Sequence, residues 1–164
     1  MKHHIVRTIA LAVLSLGLAA TASAKDDHAC SIARAGGAWG YSVQGTFLLP
    51  AGAVPVAFVG TFTVDTAGNV FGTQTSNAAG AVSKDVLRGT MTVNSDCTGT
   101  FTVDIYDQSE TLLRSAVWAV VVIDDGNESR GTFESLVVWP SGMHVPAIAI
   151  SNAKKVFRNR GQEQ

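Results

Sequence analysis

The sequence predicts an all-β protein, an eight-stranded antiparallel up-and-down (meander) β-barrel, and three observations support this fold. A Gly-Thr pair recurs six times in segments with strand-like alternation, and a large apolar residue follows the pair in five of them. The pairs begin at Gly45, Gly60, Gly72, Gly89, Gly99 and Gly131. Short connections rich in Gly, Asn and Asp separate the segments, so neighbouring strands must be antiparallel. Because almost no helix is predicted, closure into a barrel is the simplest way to remove exposed sheet edges.

Eight strand-like runs follow one another along the chain. In order, they span residues 39–49, 55–64, 70–76, 85–93, 100–106, 113–123, 130–139 and 142–153. Tight turns at one end of this barrel, near residues 65–69, 94–99 and 124–129, lie beside the start of the first strand. We expect longer connections at the other end, at residues 50–54, 77–84 and 107–112, and the mouth of the barrel there.

The first 24 residues have the pattern of a secretory signal peptide. Lys2 and Arg7 precede an apolar run that is short for a membrane span, and Ala22-Ser23-Ala24 is typical of a cleavage site. We therefore predict a signal peptide at 1–24, an N-terminal segment at 25–38, a barrel domain at 39–157 and a flexible tail at 158–164. The expected location is secreted or periplasmic, with no membrane span in the mature chain.

Charge argues against nucleic acid as a partner. Lys2 and Arg7 belong to the predicted signal peptide, so the mature chain would carry 12 − 2 = 10 Lys and Arg against 13 Asp and Glu. The cations are scattered, apart from a small cluster near the C-terminal end. Binding to a phosphate backbone needs several phosphate contacts at once, and no basic stripe offers them.

The two cysteines, Cys30 and Cys97, predict a disulfide, because two cysteines in an exported chain usually pair. Both lie at the end of the barrel that carries the tight turns, so the sulfurs can meet. Free thiols and metal binding are the alternatives. A zinc site needs three or four ligands, and in the predicted mature chain only His28 and His144 could add nitrogen ligands to the cysteines, so no metal is predicted.

The barrel interior is expected to be apolar, with either a packed core or a cavity that holds one small ligand. Inward-facing glycines in the Gly-Thr units would leave room for such a ligand. Gln74 and Ser135 are polar residues on the predicted inner face, where they could orient a ligand or be satisfied inside a packed core. The candidate ligand-binding residues are Tyr41, Phe47, Phe58, Phe62, Gln74, Met91, Phe101, Phe133, Ser135 and His144.

The strand at 113–123 is apolar on both faces, and only one of them can face the core. The other face could form a subunit interface of a homo-oligomer, or an end segment of the chain could cover it.

Catalytic patterns are scarce. The sequence contains no Gly-x-Ser-x-Gly elbow, no phosphate-binding glycine loop and no histidine-rich metal pattern. His144 lies near the predicted mouth, where Asp107, Glu110 and Lys84 could also gather for acid-base chemistry. Carboxylates in such loops are more often solvated, so no catalytic residue and no cofactor are assigned.

Four stretches of the sequence carry a resemblance: Trp39–Phe47, Pro55–Asp65 with its following turn, Gly89–Thr100 and Val121–Gly126. They resemble a group of small secreted bacterial proteins of uncharacterised function. That group is similar to the barrel of allene oxide cyclase and, more loosely, to calycins. The resemblance implies an eight-stranded barrel with an apolar interior. The Thr-Asp-Tyr signature of lipocalins and the tryptophan-rich biotin pocket of avidins are absent, so their ligands are not implied.

Two main functions and a third option follow from these features. The preferred one is a non-enzymatic barrel that binds a small apolar molecule in its interior. The alternative is a cyclase or isomerase that acts on an apolar substrate, with Tyr41, Gln74 or His144 steering it. The third is a structural or interaction protein with a filled barrel.

Overall fold

A computed structural model describes residues 30–156, which contain one turn of α-helix, a 3-10 turn at Asp124–Gly126 and nine strands. The elements are α1 (Ile32–Ala35), β1 (Gly37–Leu49), β2 (Gly52–Val64), β3 (Asn69–Ala78), β4 (Ala81–Val93), β5 (Thr98–Tyr106), β6 (Leu112–Ile123), β7 (Glu128–Val138), β8 (Met143–His144) and β9 (Ala147–Lys155). The predicted signal peptide and the predicted tail lie outside the described residues.

Eight of these strands form the closed up-and-down barrel that the sequence predicts. Each strand from β1 to β7 pairs antiparallel with the next, and β9 closes the ring by pairing with both β7 and β1. The two-residue strand β8 lies outside the ring and pairs only with β7. Closure leaves none of the eight strands with a fully exposed edge, which is the physical reason for expecting it.

The last predicted strand, 142–153, is interrupted. Its first residues form β8 beside the end of β7, whereas β9 begins only at Ala147 and pairs with β1. Pro146 lies between them, and a proline has no N–H to donate to a sheet. Its carbonyl oxygen instead accepts a hydrogen bond from the Leu48 N–H at 2.8 Å.

The connections at the end opposite α1 are shorter than predicted. β1 and β2 are joined by Pro50 and Ala51 alone, and β3 and β4 by Ala79 and Gly80. The apolar residues expected in those loops instead extend the strands. The loop between Tyr106 and Leu112 is the longer one, and the Asp107 carboxylate accepts two backbone N–H bonds in it.

The glycines of the Gly-Thr units do not leave open space, contrary to the prediction. A Cβ atom added at Gly60 or Gly89 would collide with the backbone of the neighbouring strand, at the carbonyl oxygens of Thr73 and Thr102. The other four glycines of the set meet a neighbouring strand in the same way. These residues therefore permit the close approach of strongly coiled strands, and any cavity must come from the packing of the larger side chains.

A bulge in β7 changes which residues face the interior. Phe133 pairs with Trp118, whereas Ser135 pairs with Val117, so Glu134 is an extra residue in this strand. Beyond the bulge the alternation is shifted, and Leu136 is buried against the core. The prediction that Ser135 lies on the inner face is therefore wrong.

The barrel end at the start of β1 is covered by α1. Ala35 is fully buried there, and Trp39 Nε1 donates a hydrogen bond to the Ala35 carbonyl oxygen at 2.9 Å. The Trp39 ring stacks nearly parallel on Phe62, with the ring centroids 6.0 Å apart. The predicted disulfide between Cys30 and Cys97 is confirmed, with a Cα–Cα distance of 4.9 Å, and it ties the segment before α1 to the β4–β5 turn.

Within residues 30–156, no helix has the length and apolar character needed to cross a membrane.

Candidate functional site

The barrel encloses a cavity of about 70 Å³, and its walls are mostly apolar. Eight of the ten candidate ligand-binding residues line it: Tyr41, Phe47, Phe58, Phe62, Gln74, Met91, Phe101 and Phe133. A single water molecule needs roughly 10–15 Å³ of such space, and an engineered cavity of about 150 Å³ takes benzene. The cavity is therefore large enough for a small molecule but smaller than a typical ligand pocket.

Aromatic rings form much of the cavity wall. Trp118 and Phe133 lie 3.7 Å apart between ring centroids, and Phe62 and Phe101 lie 5.2 Å apart. Phe47 contacts Phe133 at 6.1 Å between centroids. Such ring pairs hold each other in place, so this part of the wall is preformed and apolar.

Gln74 places an amide group in this apolar interior. Its Oε1 accepts a hydrogen bond from the Tyr41 hydroxyl at 2.5 Å, and its Nε2 donates to Ser76 Oγ at 2.8 Å and to Asp85 Oδ2 at 2.9 Å. The amide is thus satisfied by protein side chains, one of the two arrangements that the sequence leaves open.

Asp85 is the centre of this polar cluster, and it is fully buried. Besides the amide of Gln74, its carboxylate accepts hydrogen bonds from Ser76 Oγ at 2.5 Å and from Ser83 Oγ at 2.8 Å. Arg114 Nη2 donates to Asp85 Oδ2 at 2.6 Å. The carboxylate is therefore paired with a cation and surrounded by donors, as a buried charge requires.

Arg114 brings this ion pair to the cavity wall. It lies on the inward face of β6, with its guanidinium carbon 5.5 Å from the ring centroid of Phe58. Nη2 donates to Asp85 and to Ser76 Oγ at 3.2 Å. For Nε and Nη1, no hydrogen-bond acceptor is found among residues 30–156. The side chain keeps 16% of its surface exposed.

Burial and charge shift the pKa values of this cluster. Burial raises the pKa of Tyr41, and the Asp85 carboxylate adds to that shift, so the phenol stays protonated. Burial alone would raise the pKa of Asp85, but the hydrogen bonds from Gln74, Ser76 and Ser83 and the charge of Arg114 outweigh it, and the pKa is lowered. Burial lowers the pKa of Arg114, although Asp85 opposes that shift.

Sequence reasoning missed Asp85, Ser76 and Arg114, although a signal was present. Asp85 lies two residues before the inward-facing Leu87, and Arg114 lies two residues before the buried Ala116, so each shares a strand face with its neighbour. Two residues of opposite charge on the inward faces of barrel strands are unusual. Both residues lie at the starts of predicted strands, next to residues that the sequence assigns to loops.

Two candidate residues do not belong to the site. Ser135 faces outward beyond the bulge of β7, and His144 is exposed on β8, where it pairs with Val137. Of the residues expected near His144, Glu110 forms an ion pair with Arg88, and Asp107 accepts hydrogen bonds within its own loop. No cluster of three metal-ligating side chains occurs in the described part of the chain.

The outward face of β6 carries Val117, Ala119, Val121 and Ile123, as its sequence implies. Val121 is 45% exposed, whereas Val120 points into the barrel. A second apolar set lies on the outside of β9, where Ile148 and Ile150 are 70% and 63% exposed.

Neither a protein-family model nor a curated protein matches this chain. The resemblance to the allene oxide cyclase barrel therefore stays a prediction. The function must be argued from the cavity and its polar cluster.

Proposed function

We propose that this protein is an exported, non-enzymatic β-barrel that binds a small, mainly apolar molecule in its interior. The cavity of about 70 Å³ among aromatic and aliphatic side chains carries the proposal. An apolar molecule gains free energy by leaving water for such a space, roughly in proportion to the apolar area that it buries. An engineered cavity with apolar walls stays dry and takes up apolar guests.

Access to the cavity is expected from the end that lies away from the disulfide. At the disulfide end, α1 and the buried Trp39 cover the barrel. At the other end, Arg114 keeps part of its side chain exposed, and two of the connections are only two residues long. This arrangement supports the predicted position of the mouth, although its loops are shorter than expected.

Export to an oxidising compartment is part of the proposal. The Cys30–Cys97 disulfide supports it, because such bonds persist outside the reducing cytosol. We expect the mature chain to begin at Lys25, after Ala22-Ser23-Ala24. Sequencing the N-terminus of the exported protein checks this, and an uncleaved N-terminus would contradict it.

The binding test is a titration with 2-methylbutane, followed by heteronuclear NMR of the side-chain methyl groups. We expect saturable shifts at cavity-lining residues such as Val103 and Leu136. Ala116→Val adds two methyl groups to the cavity wall and should weaken binding. The control is Thr102→Val, a change of similar shape on the outer face of β5. Absence of saturable shifts in the wild type would contradict the proposal.

A cyclase or isomerase acting on an apolar substrate is the second candidate. The Arg114 guanidinium favours it, because it lines the cavity and could polarise a substrate oxygen. The small volume of the cavity favours simple binding, since a substrate needs room to fold before it can cyclise.

We also propose that the chain self-associates through the outward face of strand 113–123. The exposed Val121 and Ile123 support this, since contiguous exposed apolar surface commonly marks association. Coverage by an end segment is the competing arrangement.

A further inference from the structure

The stability of the barrel alone does not explain the polar cluster beside the cavity. A buried ion pair is often no more stabilising than well-packed apolar residues of similar volume. Asp85 is fully buried, and four side chains donate hydrogen bonds to it in an interior that is otherwise apolar. We therefore look to ligand binding, and not only to stability, for the role of this cluster.

Its hydrogen bonds leave other N–H groups of Arg114 without a partner in the described part of the chain. A guanidinium has five N–H donors in a fixed planar fork. In Arg114, both observed bonds use Nη2, one to Asp85 and one to Ser76. No partner for Nε or Nη1 is found among the residues that the structure describes. Arg114 also lines the cavity, so a guest with an acceptor oxygen would meet N–H donors there.

The charge balance restricts what that guest can be. Asp85 already neutralises Arg114 at 2.6 Å, and the raised pKa of Tyr41 keeps its phenol neutral. A carboxylate in the cavity would bring a second negative charge close to Asp85 without a second cation to balance it. An ammonium group would be repelled by the guanidinium of Arg114, because both are cations. Burying an unbalanced charge is costly, so a neutral acceptor suits the site best.

On the basis of the proposed function, we infer that the ligand is a small neutral carbonyl compound, such as a ketone, an aldehyde or an ester. Its carbonyl oxygen accepts hydrogen bonds from Arg114 Nη1 or Nε. Its apolar part lies against the aromatic wall formed by Phe47, Trp118 and Phe133.

The test compares three probes of nearly the same shape on the wild-type protein. These are 2-butanone, which has a neutral acceptor, 2-methyl-1-butene, which has none, and propionate, which is charged. Dissociation constants come from NMR titrations, with the Arg114 Nε–H resonance as the local reporter. We expect 2-butanone to bind about tenfold more tightly than 2-methyl-1-butene, the lower end of the effect of one hydrogen bond from a charged donor. Propionate should bind most weakly.

The outcomes separate this inference from the proposed function. If 2-butanone and 2-methyl-1-butene bind equally, the cavity binds apolar molecules and the carbonyl inference is wrong. If propionate binds most tightly, the charge argument is wrong. If no probe binds, both the inference and the proposed function fail.

An Asp85→Asn variant tests the charge argument from the other side. It leaves Arg114 without its counter-charge, so the preference should move from 2-butanone towards propionate. A folded variant with an unchanged order of affinities would overturn the inference. If the variant does not fold, the comparison of the three probes on the wild type decides alone.

Discussion

Arg114 and Asp85 lie on β6 and β4, strands that are separated by β5, and their side chains meet inside the barrel with Nη2 and Oδ2 2.6 Å apart. The pair therefore braces the interior across three strands. Arg114 is also the only charged side chain that lines the cavity, whose wall otherwise consists of apolar and neutral polar side chains as far as the described residues extend.

Replacing Asp85 with Asn should destabilise the barrel by about 3–5 kcal/mol, because it leaves a buried guanidinium without its partner. Chemical denaturation at neutral pH measures this loss. The control is Asp104→Asn on the outer face of β5, where Asp104 accepts a hydrogen bond from Ser115. A loss as large in the control would contradict a special role for the buried pair.

The same variant should show a reduced dependence of stability on pH. The pKa of Asp85 is lowered in the folded state, so its contribution is fully present above the unfolded value of about 3.9. That contribution is lost as the pH falls through the folded pKa. The difference in unfolding free energy between wild type and Asp85→Asn should therefore shrink below about pH 4. A difference that stays constant to lower pH would contradict the assignment.

Gly89→Ala should destabilise the protein strongly, because the new Cβ would collide with the backbone of β5 at Thr102. Overpacking typically costs about 1–3 kcal/mol, and a rigid backbone neighbour places this change at the upper end. Gly40→Ala is the matched control, since its Cβ would meet only a Val156 methyl group at 3.5 Å. Equal unfolding free energies for the two variants would show that β4 and β5 can separate easily.

Changing both Cys30 and Cys97 to Ser should remove about 4 kcal/mol on the chain-entropy model. The bond spans 67 residues of sequence. The local effect should be greatest at α1. Hydrogen exchange with solvent should therefore speed up more in this variant for the indole N–H of Trp39 than for the amides in the middle of β2. If the two regions lose protection equally, the bond supports the whole barrel rather than its covered end.

Val121→Lys should yield a smaller species in solution if the outward face of β6 is a subunit interface, because a lysine there would be buried without a partner. Sedimentation velocity measures the change. Ile150→Lys on β9 is the comparison, since Ile150 is also exposed and apolar. A wild-type protein that is monomeric at high concentration would remove the proposal, and dissociation caused only by Ile150→Lys would move the interface to β9.

The strands and the barrel could be predicted because alternation is strong and the turns are marked by Gly, Asn and Asp. The bulge at Glu134 could not be predicted, because nothing in Phe133-Glu134-Ser135 distinguishes it from regular alternation. For the same reason Ser135 was placed on the wrong face. The error at Gly60 and Gly89 has another cause, since sequence alone does not say whether side chains or backbone fill the space beside a glycine.

The candidate site was predicted in part. Alternation along the strands predicts that its aromatic residues and Gln74 face inward. Closure of the barrel then brings them into contact. Asp85 and Arg114 are the first and second residues of the predicted strands 85–93 and 113–123, where the short run of alternation before them does not mark a face. His144 lies on the short strand β8, and Pro146 separates it from β9.

The central claim is that the interior of this barrel accepts a small apolar guest. A crystal structure of the wild-type protein under xenon pressure tests it most directly, because xenon enters empty apolar cavities and is readily located by its scattering. We predict a xenon atom inside the barrel among Phe101, Trp118 and Phe133, and its loss in Ala116→Val. Xenon bound only at the surface, with the interior filled by side chains, would contradict the account.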